Sequence, residues 1–287
     1  MSLGLTKTKR RIASVKSTQK ITKAMEMVAT VKVKRFRKAY DESKDYVDGL
    51  KAIMAKILAY DAEAKSHYAL PNEDDLPDLY ILITSDLGLC AAYNTNLYKF
   101  VEEHVRKDKD ILAIVGQKGT THYGSSQQEY AHINNEFSAS FSSMEPRLIN
   151  EACDRIKAAF NGKKVRRVFL ISTKYVNSLS FVPELTQLLP LELEDVKEAD
   201  EEYRPPLFEP SPRRMIHLLL PQYLGGLIYF KAVESQLSEQ ASRRTAMDNA
   251  NDNADELLNK LTIEYNKARQ GAITQEITEV VSGSVNA

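Results

Sequence analysis

Between Leu3 and Tyr60 the chain contains no proline and only two glycines, Gly4 and Gly49. So long a stretch without a helix breaker predicts one long helix, with room for a bend. Apolar residues recur at Val47, Leu50, Met54 and Ile57, and less regularly upstream at Ile21, Met25, Val28, Val33, Phe36 and Tyr40. A second helix is predicted from Pro212 toward Ser282, with an early break expected around Pro221 and Gly225-Gly226. Its clearest stripe is Ala250, Ala254, Leu257, Leu261, Tyr265, Ala268 and Ala272, spaced by threes and fours. At 1.5 Å per residue each helix would reach on the order of 80–100 Å. Neither can lie lengthwise inside one compact domain built from 287 residues.

Two such stripes suit an antiparallel coiled coil, with Ala250 and Ala254 allowing close approach. The two ends of one chain can pair this way only if the middle returns the chain. Residues 76–192 read as an α/β domain. Leu79–Thr84, Ile111–Val115 and Val165–Thr173 are short β-rich runs, with helical patterns at Asn94–Lys107 and Glu145–Phe160 between them. The alternation predicts a mostly parallel sheet, and Pro183 directs Ser180–Leu189 to an edge. The expected fold class is therefore α/β: two long antiparallel terminal helices forming a coiled coil, plus a central Rossmann-like α/β domain. The predicted divisions are an N-terminal helix at 1–60, the α/β domain at 76–192, an acidic proline-bearing loop at 193–211 and a C-terminal helix at 212–287.

Phosphate chemistry would leave marks that this sequence lacks. There is no G-x-x-x-x-G-K-[ST]; the nearest glycine pair, in Gly116-Gln-Lys-Gly119, is too short and lacks the hydroxyl that would hold magnesium. After the first strand the chain reads SDLGLC, without a dinucleotide fingerprint, and a capped strand-end turn explains Ser85 and Cys90 better than a nucleophile does. The five histidines form no i,i+4 pair and the two cysteines, Cys90 and Cys153, have no metal-ligand spacing. No catalytic residue, metal or cofactor is expected, and the cysteines fit a reducing compartment. The longest apolar stretch, Met215–Phe230, carries His217, Pro221 and Gln222 and is too short to span a bilayer.

Charge is balanced overall but not along the chain. Lys7, Lys9, Arg10, Arg11, Lys16, Lys20, Lys23, Lys32, Lys34, Arg35, Arg37 and Lys38 face Glu26 alone in the first forty residues, whereas acids gather at Glu192, Glu194, Asp195, Glu198, Asp200 and Glu201. The basic helix suits a solvated face, an acidic protein surface or nucleic acid, although aromatic stacking groups and recognition motifs are sparse.

Three stretches, in order, resemble one family. They are RRIASVKSTQKITKAMEMVATVK at 10–32, SDLGLCAAYN at 85–94 and YNKARQGAITQEITEVVSGS at 265–284; FEPSP at 208–212, ES at 234–235 and SEQASR at 238–243 also match. The chain resembles the gamma subunit family of F-type ATP synthases over its whole length. The resemblance implies a central-stalk rotor, non-catalytic itself, that carries torque between an ion-driven c-ring and the catalytic α3β3 hexamer during proton-driven ATP synthesis. The choice of proton or sodium would belong to the ring and its stator partner. Implied partners are the α and β subunits, the epsilon subunit and the c-ring, with no nucleic acid, at the cytoplasmic face of a bacterial cell membrane as a peripheral protein. The match begins within the first ten residues, which argues against a mitochondrial presequence.

By position, the resemblance assigns Arg269, Gln270, Thr274 and Glu276 to a β-subunit loop, with Met25 and Arg243 at shaft positions near the catalytic subunits. A local ion pair for Glu276 and seam packing for Met25 are the purely structural alternatives. Glu192, Glu194, Asp195, Glu198, Asp200 and Glu201 are expected to meet the c-ring or epsilon. Departures from the family pattern are Leu87 for its arginine, Ala91-Ala92 for its two glycines, Arg244 for its methionine and Ser284 for its terminal alanine. No cysteine-bearing regulatory insert is present, so thiol control is not expected.

Overall fold

The computed structural model describes residues 3–59, 68, 70–124, 132–134, 146–191, 208–209 and 211–285. Helix α1 (Leu3–Ala59) leads into β1 (Leu79–Ile83), α2 (Tyr93–His104), β2 (Ile111–Val115), α3 (Gln117–Gly124), β3 (His132–Asn134), α4 (Pro146–Asn161), β4 (Val168–Asn177), β5 (Ser180–Leu189) and finally α5 (Pro212–Val285). The chain divides into two compact units, one of residues 1–31 with 243–287 and one of residues 32–242.

In the larger unit the five strands lie in the order β3-β2-β1-β4-β5. The pairs β1–β2, β1–β4 and β2–β3 are parallel, and β5 closes the far edge antiparallel to β4. Pro183 sits on that edge strand opposite Thr173, where its missing N–H costs the sheet least. β1 is buried at all five positions because helices cover both faces of the sheet. On one face Tyr80, Leu82, Leu112 and Ile114 pack against Leu97 and Val101 of α2 and Tyr123 of α3. On the other, Leu79, Ile81 and Ile83 share a core with Ile156 and Phe160 of α4, Met54 and Ile57 of α1, and Ile216 and Leu224 of α5. The short elements α3 and β3 carried too little periodicity to be anticipated.

The break expected near Pro221 and Gly225-Gly226 is absent: α5 runs through all three residues. Proline within a helix removes one hydrogen bond and costs about 3 kcal/mol in isolation. Here buried Ile216, Leu220, Leu224, Leu227 and Ile228 hold the segment helical against the core. Gly226 is there for proximity. A Cβ on Gly226 would stand 3.1 Å from the Tyr46 ring and 3.5 Å from Val47, so its absence lets α5 approach α1.

The smaller unit is a pair of helices. Asp255 accepts from Gln19 at 2.7 Å, while Asn251 bonds Thr22 and donates to Glu26 at 2.8 Å. Partners therefore descend along α5 as they ascend along α1, which makes the pair antiparallel. Its seam differs from the expected one. On α5, Met247, Asn251, Ala254, Leu258, Leu261 and Tyr265 are buried or half-buried in an unbroken four-three alternation; of the expected stripe Ala250, Ala254, Leu261, Tyr265 and Ala272 are shielded, and Ala268 is exposed. Leu257 is 40% exposed, and Leu258 takes its place. On α1 the shielded positions are Leu5, Thr8, Ile12, Val15, Gln19, Thr22, Glu26 and Ala29, again by threes and fours. Ile21 (60%) and Val28 (56%), expected in the seam, point outward.

Candidate interaction surfaces on the helix pair and the sheet edge

Side chains directed away from the seam of the helix pair form surfaces of two kinds. Lys7, Lys9, Arg10, Arg11, Lys16, Lys20 and Lys23 are all exposed on α1. Interleaved with them, Ile21, Val28 and Val31 make an apolar stripe of helical spacing. On α5, Gln270, Ile273, Thr274, Ile277 and Val281 recur by threes and fours on the face opposite the seam, with Arg269 exposed beside them. Thr274 donates to the Gln270 carbonyl at 2.9 Å, which spends its hydroxyl within the helix. Large apolar side chains at such spacing on a solvated helix mark a face built to be covered. Sequence reasoning found Arg269, Gln270 and Thr274 but not Ile273, Ile277 and Val281; the signal was a second apolar stripe offset from the seam.

Met25 is half-buried beside the seam. Arg243 is only 5% exposed. Glu276 lies in α5 with its side chain outside the described residues, as are Glu192, Glu194, Asp195, Glu198, Asp200 and Glu201 altogether.

In the larger unit, the C-terminal edge of the sheet is where open α/β domains take ligands. Here that edge is occupied by the chain itself. The first three amides of α3, the donors that a phosphate would seek, are already accepted: Gln117 N by Asp86 at 3.1 Å, Lys118 N by the Ser85 carbonyl at 2.9 Å and Gly119 N by Thr84 Oγ1 at 2.9 Å. Gly116 holds φ +100°, and a Cβ on Gly119 would fall 2.7 Å from Thr84 Oγ1, so both glycines serve the close packing of this turn. Lys32 and Phe36 of α1 and Ser235 and Gln236 of α5 close over the small cavity that remains.

The turn at 85–92 is itself tied down. Asn94 donates to Ser85 Oγ at 2.7 Å and accepts from Ser85 N at 3.2 Å, and Ser85 Oγ bonds the Leu87 carbonyl at 2.8 Å. Leu87 and Leu89 project into solvent. Among the described residues no group of His, Cys, Asp and Glu is arranged to hold a metal, and no helix is long and apolar enough to cross a membrane.

Comparison with known proteins decides the family. A family model described as ATP synthase matches residues 4–286. The ATP synthase gamma chain of Ruminiclostridium cellulolyticum is 35% identical over 99% of both chains. The chain belongs to the ATP synthase gamma chain family. A gamma chain from Acetobacterium woodii described as sodium ion specific is 33% identical over 96% of each chain. Among solved structures, a chain of the Euglena gracilis mitochondrial ATP synthase superposes with TM-score 0.65 at 19% identity, covering 98% of this chain and 94% of that one. A second, from the Tetrahymena thermophila central stalk and c-ring, gives TM-score 0.57 at 23% identity over 80% and 99%. At these identities the likeness is one of fold: two long terminal helices and an α/β domain.

Within the gamma chain family pattern, one departure acquires a physical meaning. Ala91, where the resemblance implies a glycine, holds φ +49°, in the left-handed region that a Cβ disfavours. Ala92, at the other glycine position, has φ −82° and needs none. Leu87, where the resemblance implies an arginine, is an exposed apolar side chain on the turn.

Proposed function

We propose that this chain is the central-stalk rotor subunit of an F-type ATP synthase, transmitting torque between an ion-driven c-ring and an α3β3 catalytic hexamer without catalysing the reaction itself. Membership of the gamma chain family supports the reading, and the observation that carries it is the exposed surface of the helix pair. A shaft must present one face to its own partner helix and others to a surrounding sleeve. The basic residues of α1, the stripe at Ile21, Val28 and Val31 and the patch from Arg269 to Val281 meet that requirement. The unequal faces matter mechanically, because each orientation of the shaft would then favour a different conformation of each catalytic site.

A non-catalytic role is supported by the edge of the sheet, where the α3 amides are committed internally and both long helices stand over the strand ends. Arg269, Gln270, Thr274 and Glu276, with Met25, are assigned to the catalytic subunits. Arg243 would reach a partner only through the few atoms it leaves at the surface. The acidic residues from Glu192 to Glu201 are assigned to the c-ring or epsilon. The protein would work as a peripheral component at the cytoplasmic face of a bacterial membrane.

Tagged chain purified from its source should bring down nucleotide-binding α and β subunits in a stoichiometric complex. Salt-sensitive binding of nucleic acid without those subunits would overturn the reading.

A further inference from the structure

A rotor reading raises a question internal to the larger unit: what joins α5 to the sheet firmly enough to carry load. The hydrophobic effect is non-directional, whereas hydrogen bonds and short ionic contacts fix geometry. One face of α5 supplies these in a row. Lys231, the adjacent Glu234 and Ser235, then Ser238 and Ser242 lie three or four residues apart along one helix face and are all buried. β4 runs on past Ile171, its last residue paired with β1, so the backbone at Thr173 and Tyr175 has no strand beside it on that edge. Side chains of α5 stand in for the missing strand. Ser235 Oγ accepts from Thr173 N at 2.9 Å, Ser238 Oγ donates to Thr173 O at 3.4 Å, and Glu234 accepts from Tyr175 N at 3.3 Å.

The row continues in both directions. Lys231 pairs with Glu234 at 3.0 Å and with Glu184 of β5, and Glu184 also takes Lys174 at 3.2 Å. Toward the other end, the Tyr93 hydroxyl donates to the Ser235 carbonyl at 3.3 Å, and Ser242 Oγ donates to Cys90 O at 2.8 Å. The ES and SEQASR motifs and the SDLGLCAAYN turn, separate in sequence, thus form one hydrogen-bonded seam.

We propose that this seam, from Lys231 to Ser242 against Glu184, Thr173, Tyr175 and Cys90, is the torque coupling of the protein, its residues acting as positioning residues that prevent slip between the α/β domain and helix α5. The inference rests on the rotor reading above. Its test uses the assembled complex in inverted membrane vesicles, comparing the wild type with Ser235→Ala/Ser238→Ala, with Ser235→Thr as the variant that restores a hydroxyl at 235, and with Glu184→Gln. ATP hydrolysis with the ion gradient dissipated by an uncoupler, which turns the shaft against little load, should stay within about twofold of wild type. ATP synthesis against the ion gradient should fall by about fivefold or more in the double alanine variant and recover with Ser235→Thr. In parallel, a bead fixed to the α/β domain of an immobilised complex should show a wider thermal spread of angle in the variant.

Unchanged synthesis and unchanged angular spread would overturn the proposal. Should the double variant not assemble, Glu184→Gln decides the matter: lowered synthesis with normal hydrolysis supports the coupling role, and wild-type values for both overturn it. A wild-type chain that fails to assemble with nucleotide-binding subunits would instead sink the rotor reading, a distinguishable result.

Discussion

Ala91, Asp110 and Glu184 in the larger unit carry strain or charge that the fold must hold in place. Ala91 is left-handed at φ +49°, which costs a residue with a Cβ roughly 1–2 kcal/mol. Glycine would remove that cost but loosen the unfolded chain by about 0.4–1 kcal/mol. Ala91→Gly should therefore raise stability by about 0.5–1 kcal/mol, seen as a higher urea midpoint; a lower midpoint would mean the turn is unstrained. Asp110 is wholly buried and accepts from the Arg106 guanidinium at 2.7 Å, from Arg106 N at 2.9 Å and from Asp78 N at 3.1 Å. Burial pushes its pKa up, but these hydrogen bonds outweigh burial and leave it below its ordinary value of 3.8. Glu184 is also depressed below its ordinary 4.5, because bonds from Lys231 and Lys174 outweigh its burial. For depressed acids the stabilisation is complete above the unfolded values and is lost as pH falls through the lower, folded ones. Unfolding midpoints should hold steady above pH 4.5 and fall below it, and Asp110→Asn, costing about 2 kcal/mol at neutral pH, should flatten that fall.

At the scale of elements, the helix pair depends on a seam that the sequence disguises. Leu258→Ala should cost about 2–3 kcal/mol, whereas Leu257→Ala, one residue away, should cost under about 0.5 kcal/mol. Thermal melts of the two variants followed by helical circular dichroism would separate them, and equal losses would refute the register. Much of the α/β domain was legible: Leu79–Ile83 and Ile111–Val115 are uninterrupted apolar runs, which is how strands buried on both faces read. The seam was less so, because Thr8, Gln19, Thr22, Glu26 and Asn251 occupy core positions of a heptad. A polar residue at such a position looks like a solvated one until its partner across the pair is known. Asn251 between Thr22 and Glu26 is the clearest case, and a paired polar group there specifies register better than another leucine would. Ile21 and Val28 show the converse: they are apolar at helical spacing, yet they face outward.

At the scale of the whole protein, the decisive prediction concerns the exposed patch on α5. Arg269→Ala with Gln270→Ala should leave folding and assembly intact, since both side chains are exposed, while lowering coupled ATP synthesis in membrane vesicles by about tenfold. Unimpaired synthesis would remove these residues from the coupling surface. The family was legible from the three signatures because they record local sequence over the full chain, and full-length relatives at 35% identity bear it out. By itself the sequence determined the two terminal helices, since the absence of breakers and the period of apolar residues are local properties of the chain. It also determined the strands, through their length and apolar content. Only the tertiary structure decided which of two apolar stripes is buried, why Gly226 marks a close approach rather than a break, and what occupies the amides of α3. Each of those depends on residues far apart in the chain meeting with complementary shape and hydrogen bonds, and no single segment carries that information.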